Sequence, residues 1–309
     1  MDNSGLKKLI ENIENVIIGK TEMVKLLIIG LLTNGHILIE DIPGTGKTML
    51  SLALAKSISG DFKRIQFTPD LLPSDVTGGF IYNPKTGEFD FRKGPVFCNI
   101  LLADEINRTT PRTQSALLEC MQEYKVTLDG KTMPLAKPFM VVATQNPIEY
   151  QGTYPLPEAQ IDRFLMKIDM GYLTNEEEVR VVSGQKVKHP VESLSPVLSL
   201  EDVLRLQEEV KKIDISSNVL EYIVRLVAST RQKKDQVKLG ASPRASIALM
   251  KASCAWALLE GRDYVIPDDI TKLTPYILKH RIALLPKVAV TGKKPEDIIA
   301  EIIKNTPIP

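Results

Sequence analysis

The stretch from His36 to Ser57 constrains the fold of this chain more than any other. A short apolar run, His36-Ile37-Leu38-Ile39-Glu40, leads into the turn Pro43-Gly44-Thr45-Gly46-Lys47-Thr48, and a helical pattern follows from Thr48 to Ser57. Strand, glycine turn and helix in that order open a parallel α/β unit. The turn also carries chemistry. Phosphate oxygens are crowded with negative charge, so a loop offering them several backbone N–H groups must lack side chains at closest approach, hence Gly44 and Gly46. The helix start adds its positive dipole end. In turns of this kind Lys47 reaches the β- and γ-phosphates and the Thr48 hydroxyl ligates Mg²⁺. The candidate binding segment therefore runs from Pro43 through Met49. One position departs from the full pattern: Asp41 stands where a glycine is usual, five residues before Gly46. It falls at the strand exit, outside the tightest part of the cradle, so nucleotide binding is expected to survive it.

Further buried-strand candidates are Arg64–Phe67, Asn99–Ala103, Phe139–Ala143 and Phe164–Ile168. Nearly continuous apolar strands suit a sheet covered by helices on both faces. The second of them ends at Asp104-Glu105. An acidic pair after four apolar residues is costly to bury unless it faces a cation or a polar cleft. Asp104 is the candidate for the Mg²⁺ shell and Glu105 the candidate base that polarises an attacking water. Alone, such a pair equally marks a helix cap or a solvated turn. Its place downstream of the glycine turn, on what is expected to be the neighbouring strand, favours the catalytic reading. The third strand ends at Thr144-Gln145-Asn146-Pro147, where Asn146 is either a turn residue ahead of proline or a group that orients the lytic water.

Two segments read as inserted β-hairpins, near residues 78–91 and 124–134; the second turns on Asp129-Gly130. His189-Pro190 and Ser195-Pro196 break the periodicity, marking a linker at 186–199 between an α/β domain (1–185) and helical patterns at Leu200–Lys212, Ser217–Arg231, Pro243–Glu260 and Pro267–Ile277. The length, 309 residues, allows about two domains. Charge decides which partners to expect: 39 Lys and Arg against 38 Asp and Glu argue against nucleic-acid coating as the main task. The longest aliphatic stretch, Leu26–Leu32, is far too short to span a membrane, and the N-terminus lacks a signal-peptide core. Cys98, Cys120 and Cys254 form no Cys-x-x-Cys spacing, so a reducing cytoplasm is the expected location. His36, His189 and His280 are isolated and carry no metal-ligand spacing. Arg108 and Arg112, after the acidic pair, are either interface residues or solvated cations.

With these motifs in place the sequence resembles AAA+ ATPases, and among them the MoxR family. The matching text includes Leu102-Ala103-Asp104-Glu105-Ile106-Asn107-Arg108, Thr113–Glu119, Ala143–Pro147, Leu156–Phe164 and Gly240-Ala241-Ser242-Pro243-Arg244. The resemblance covers nearly the whole chain. It implies an α/β fold in which a P-loop AAA+ parallel sheet is flanked by helices and followed by a small all-helical lid. It also implies that Asn146 is sensor 1, that Arg163 is an arginine finger reaching a neighbouring subunit, and that Arg244 is sensor 2, whose target site in this branch can belong to an adjacent protomer. The segment Val16-Ile17-Ile18-Gly19 resembles the lining of the adenine pocket. The implied ligands are ATP and Mg²⁺. The implied assembly is a homo-oligomer, expected as a hexameric ring acting on protein clients, with a von Willebrand factor A domain protein as partner. Two other classes are weighed against this enzyme. A nucleic-acid motor would use Lys125 and Lys131 on the second hairpin, and an ATP-binding scaffold with little turnover has Asp41 as its sequence hint.

Overall fold

A computed structural model describes residues 3–40, 44–146, 152–184 and 190–309. Asp41, Pro43, Pro147 and His189 lie outside the described residues. The chain opens with helices α1 (Ser4–Glu14) and α2 (Thr21–Leu32), then strand β1 (Ile37–Glu40) and α3 (Lys47–Ser57). Strand β2 (Phe62–Gln66) and the short α4 (Pro73–Thr77) lead to a hairpin of β3 (Gly78–Asn83) and β4 (Glu88–Lys93). Then come β5 (Ile100–Asp104), α5 (Pro111–Glu123), a second hairpin of β6 (Lys125–Leu128) and β7 (Lys131–Pro134), and β8 (Met140–Gln145). The single-turn α6 (Glu158–Ile161), β9 (Met166–Ile168) and α7 (Asn175–Gly184) complete this half. The remainder holds α8 (Leu200–Val210), α9 (Ser217–Gln232), β10 (Val237–Leu239), α10 (Pro243–Leu259), α11 (Pro267–Leu278), β11 (Ala283–Leu284), α12 (Pro286–Ala289) and α13 (Pro295–Asn305).

The main sheet is parallel throughout, in the order β2-β5-β8-β1-β9. The inner strands β5, β8 and β1 are apolar on both faces because both are covered. Ile37, Ile39, Ile100, Leu102 and Val142 face a cluster shared with α1, α2 and α3, while Leu38, Leu101, Ala103, Val141 and Ala143 face one shared with α5 and Phe139. Alternate residues go to opposite faces, as a pleated strand requires. Helix α2 comes so close to the sheet that a Cβ at Gly30 would lie 2.8 Å from Ile37 Cδ1 and from Met140 Cε. The first cluster continues without a break into α8, α9, α10, α11 and α13.

Two expectations change. The acidic strand β5 is not the neighbour of β1: β8 lies between them, because β1 pairs with β8 on one side and β9 on the other. Strand β2 is not a buried strand but the sheet's edge, with Lys63, Arg64 and Gln66 exposed and Ile65 buried. The helical half also contains a short antiparallel ribbon, β10 with β11, and the last helix α13, which the periodicity did not indicate. Cys98, Cys120 and Cys254 are free and buried; burial pushes their thiols up to about 12, 12 and 11. Among the described residues no helix is long and apolar enough to cross a membrane.

Candidate functional site

Because all five strands run the same way, the ends of β1, β5 and β8 open at one edge of the sheet, where parallel α/β folds bind ligands. The register sets Ile39 beside Thr144 and Ala103 beside Ala143, so the polar tips of the three strands stand side by side. A cleft of about 390 Å³ lies over these tips. Gly44, Thr45, Gly46, Lys47, Thr48 and Met49 form one wall of it, and Asp104, Glu105 and Asn146 line it too. Nine of the sequence-predicted residues thus meet in one place: the phosphate turn, the acidic pair and the end of β8. Gly44 and Gly46 hold φ values of +87° and +90°, and a Cβ on either would meet nothing within 4 Å. The glycines therefore border open space, and the backbone there is one that L side chains rarely adopt.

The acidic pair is held by residues that motif reading passed over. Asp104 Oδ2 accepts from Arg64 Nη2 at 2.7 Å and Nε at 3.2 Å, and Asp104 Oδ1 accepts from Thr144 Oγ1 at 2.6 Å. The same Thr144 Oγ1 accepts the backbone N–H of Glu105 at 2.8 Å. That bond fixes Glu105 in the left-handed region, at φ 56°, a strained conformation for a residue with a side chain. The Glu105 carboxylate accepts from Gln66 Nε2 at 2.7 Å and from Arg108 Nη1 at 2.9 Å. Arg108 is exposed, as a solvated cation is, and at the same time pairs with the Glu105 carboxylate. Arg64 and Gln66 reach the cleft because they sit two apart on edge strand β2, on the same face; the pattern Arg64-Ile65-Gln66-Phe67 carried that signal as an alternation.

A hydroxyl from Thr48 and a carboxylate from Asp104 in one cleft are hard oxygen donors of the kind Mg²⁺ prefers, so the residues present fit that ion. A second, more apolar cleft of about 560 Å³ adjoins the first and shares Gly44, Gly46 and Met49 with it. Val16, Ile17 and Ile18 line it, together with Tyr172 and Val181. Gly19 is not part of this lining; a Cβ there would collide with the Glu177 carboxylate.

Arg163 and Arg244 stand apart from the cleft that holds the acidic pair. They share a different pocket, with Asp162, Lys251 and Arg281. Arg163 lies against α5, donating to Leu118 O at 3.4 Å and to Gln122 Oε1. Arg244, more than half exposed, is 3.9 Å from Asp162 Oδ2. His36 is buried and His280 half-buried, and each is hydrogen-bonded to a carbonyl.

Comparison with known proteins agrees with this architecture. Residues 36–166 match the family described as ATPases associated with various cellular activities (AAA), and residues 229–302 match the AAA lid domain. The chain is 57% identical to an uncharacterized Bacillus subtilis protein, YeaC, covering 98% of this chain and 95% of that one. It is 43% identical to the Mycobacterium tuberculosis protein Chaperone MoxR1, over 98% of this chain and 82% of the relative. A crystal structure of a candidate ATPase from Cytophaga hutchinsonii superposes with a TM-score of 0.92 at 44% identity, over 99% and 96% of the two chains. A phosphate-loop sheet, its lid and relatives of matching length together place the chain in the MoxR family of AAA+ ATPases.

Proposed function

We propose that the chain binds ATP with Mg²⁺ in the cleft between the phosphate turn and the acidic strand and hydrolyses it at the interfaces of a homo-oligomeric ring. One observation carries this reading. The turn, Asp104, Glu105 and Asn146 share a cleft, while the two arginines expected to stabilise phosphoryl charge line another pocket of the same chain. A second copy supplies what the first lacks.

In this reading the N–H groups around Gly44 and Gly46 hold the phosphates, with Lys47 at the β- and γ-phosphates. Thr48 and Asp104 hold Mg²⁺, which neutralises charge between the phosphoryl groups. Glu105 is the base that takes the proton of the attacking water; Gln66 and Arg108 both donate to its Oε2, which leaves Oε1 to accept that proton. Asn146, at the end of β8, orients the water, and Ile17 and Ile18 take the base of the nucleotide. Arg163 and Arg244 reach the neighbour's γ-phosphate. The expected ring is a cytoplasmic hexamer of subunits with an α/β part (1–185) and a lid (200–309). It remodels or matures client proteins, as the name of the mycobacterial relative suggests, with a von Willebrand factor A domain protein as partner.

The test is turnover against protein concentration. Specific activity is expected to rise as the chain assembles, and Glu105→Gln is expected to lose at least about 100-fold in kcat while still binding ATP. Full turnover in Glu105→Gln refutes the assignment of the base.

A further inference from the structure

Arg163 sits on the turn between α6 and β9, and that turn is gripped from the other half of the chain. Arg281, just after α11, has a side chain only 3% exposed. Its Nε donates to Asp162 Oδ1 at 2.7 Å, and its Nη2 to Asp162 O at 3.1 Å and Phe164 O at 2.5 Å. Its Nη1 donates to Leu165 O at 3.0 Å and to Ile277 O at 2.6 Å. His280 Nε2 adds a bond to Phe164 O at 3.2 Å. Residues on both sides of Arg163 are therefore bonded to one guanidinium. The other oxygen of Asp162 accepts from Ser242 Oγ at 3.0 Å, and Ser242 caps α10 by accepting from Arg244 N.

We propose that Asp162 and Arg281 form a clasp that fixes Arg163 and Arg244 relative to each other, so that both are presented to a neighbouring subunit's cleft as one unit. Asp162 and Arg281 are positioning residues: they act through the two arginines. The physical basis is the fork of the guanidinium, which holds several acceptors in one plane and cannot follow one without the others. A buried arginine that satisfies a carboxylate and four carbonyls moves with all of them. Any shift of α10 and α11 against the sheet therefore carries the turn of Arg163 with it. This inference rests on the proposed division of the site between subunits.

The test uses the full chain. Arg281→Lys keeps the charge but loses the fork. Its kcat is expected to fall about tenfold or more with KM changed less than about twofold, because the variant's own cleft is intact. A damaged fold moves both, so a second readout is needed. Arg281→Lys and Glu105→Gln subunits are co-expressed with different tags and purified through both. In the mixed ring about half the clefts are competent and about half of those meet an intact neighbour, so about a quarter of wild-type turnover returns, against near zero for Glu105→Gln alone. The control pairs Arg163→Ala with Glu105→Gln. Recovery in the control without recovery for Arg281→Lys overturns the clasp. No recovery in the control, or no doubly tagged complex, overturns the divided site itself, and the clasp with it. Should Arg281→Lys fail to fold, Ser242→Ala removes the link from Asp162 to α10 together with the side-chain cap of that helix; an unchanged kcat there overturns the proposal, and a loss restored in the mixed ring supports it.

Discussion

His36 offers a measurement in which structure fixes both sign and size. Its ring lies just before β1, with Nε2 donating to Met121 O at 2.8 Å and Nδ1 accepting from Val141 N at 3.0 Å. Tyr124 stacks on it and Phe139 meets it edge-on, each at 5.8 Å between ring centroids. Both bonds require a proton on Nε2 and none on Nδ1, so the neutral ring is the one that fits. Burial lowers its pKa from the ordinary 6.5 to about 4, against the opposing pull of the Met121 carbonyl. Between those values the unfolded chain takes up a proton that the folded chain refuses. The stability contributed by the neutral ring is thus fully present above about pH 6.5 and is lost as pH falls toward 4. A shift of that size is worth about 3 kcal/mol in total, of which about 2 kcal/mol is gone by pH 5. His36→Gln can still donate to Met121 O but does not titrate. Urea unfolding of both proteins at pH 7.5 and pH 5, without nucleotide and at one protein concentration, reads the difference. Groups such as His280 titrate alike in both and cancel. The wild-type advantage is expected to shrink by about 2 kcal/mol at the lower pH; a gap independent of pH refutes the neutral buried ring.

Two further outcomes concern the cleft. Arg64 is about half exposed, so its pair with Asp104 is worth about 0.5–1 kcal/mol. If it competes with the metal for that oxygen, Arg64→Gln lowers the Mg²⁺ concentration needed for half-maximal turnover about two- to fivefold, and a magnesium titration showing no fall removes Arg64 from that role. Gly46→Ala adds a Cβ that touches nothing but sits at φ +90°, which costs about 1 kcal/mol of stability. The same methyl group projects into the phosphate cradle, so nucleotide affinity is expected to drop at least about tenfold; calorimetry showing equal loss in melting and no loss in binding would sink the cradle assignment.

The phosphate turn, the four other sheet strands and both hairpins were legible because each depends on local signals: glycines at fixed spacing, short apolar runs, an Asp-Gly turn. Strand order was not legible. Nothing local in β5 says that β8 will insert between it and β1, since both are apolar on two faces and each pairs equally well with either neighbour. The same limit hid the partners of the acidic pair. Arg64 and Gln66 read as part of a buried strand until the topology put β2 at the edge, where alternate side chains are free to turn toward Asp104 and Glu105. Arg281 is harder still: it follows the last turn of a helix, 119 residues from Asp162, and no spacing rule links the two.

In the single chain, three of the groups assigned to chemistry already have resting partners. Asp104 holds Arg64, Glu105 holds Gln66 and Arg108, and Arg163 holds Gln122 and Leu118 O. On the proposed reading, forming the working site is an exchange of partners rather than the creation of contacts from nothing. Each exchange trades one hydrogen bond or exposed ion pair for another, with a net difference of about 1 kcal/mol. Nucleotide with its metal, and a neighbouring subunit, each make several such contacts at once, so the two together tip a balance that is close to even. On the same reading, a site built this way is expected to stay quiet in a lone subunit without any dedicated inhibitor. The resting contacts satisfy the charges locally, and only the simultaneous arrival of phosphate and neighbour satisfies them better.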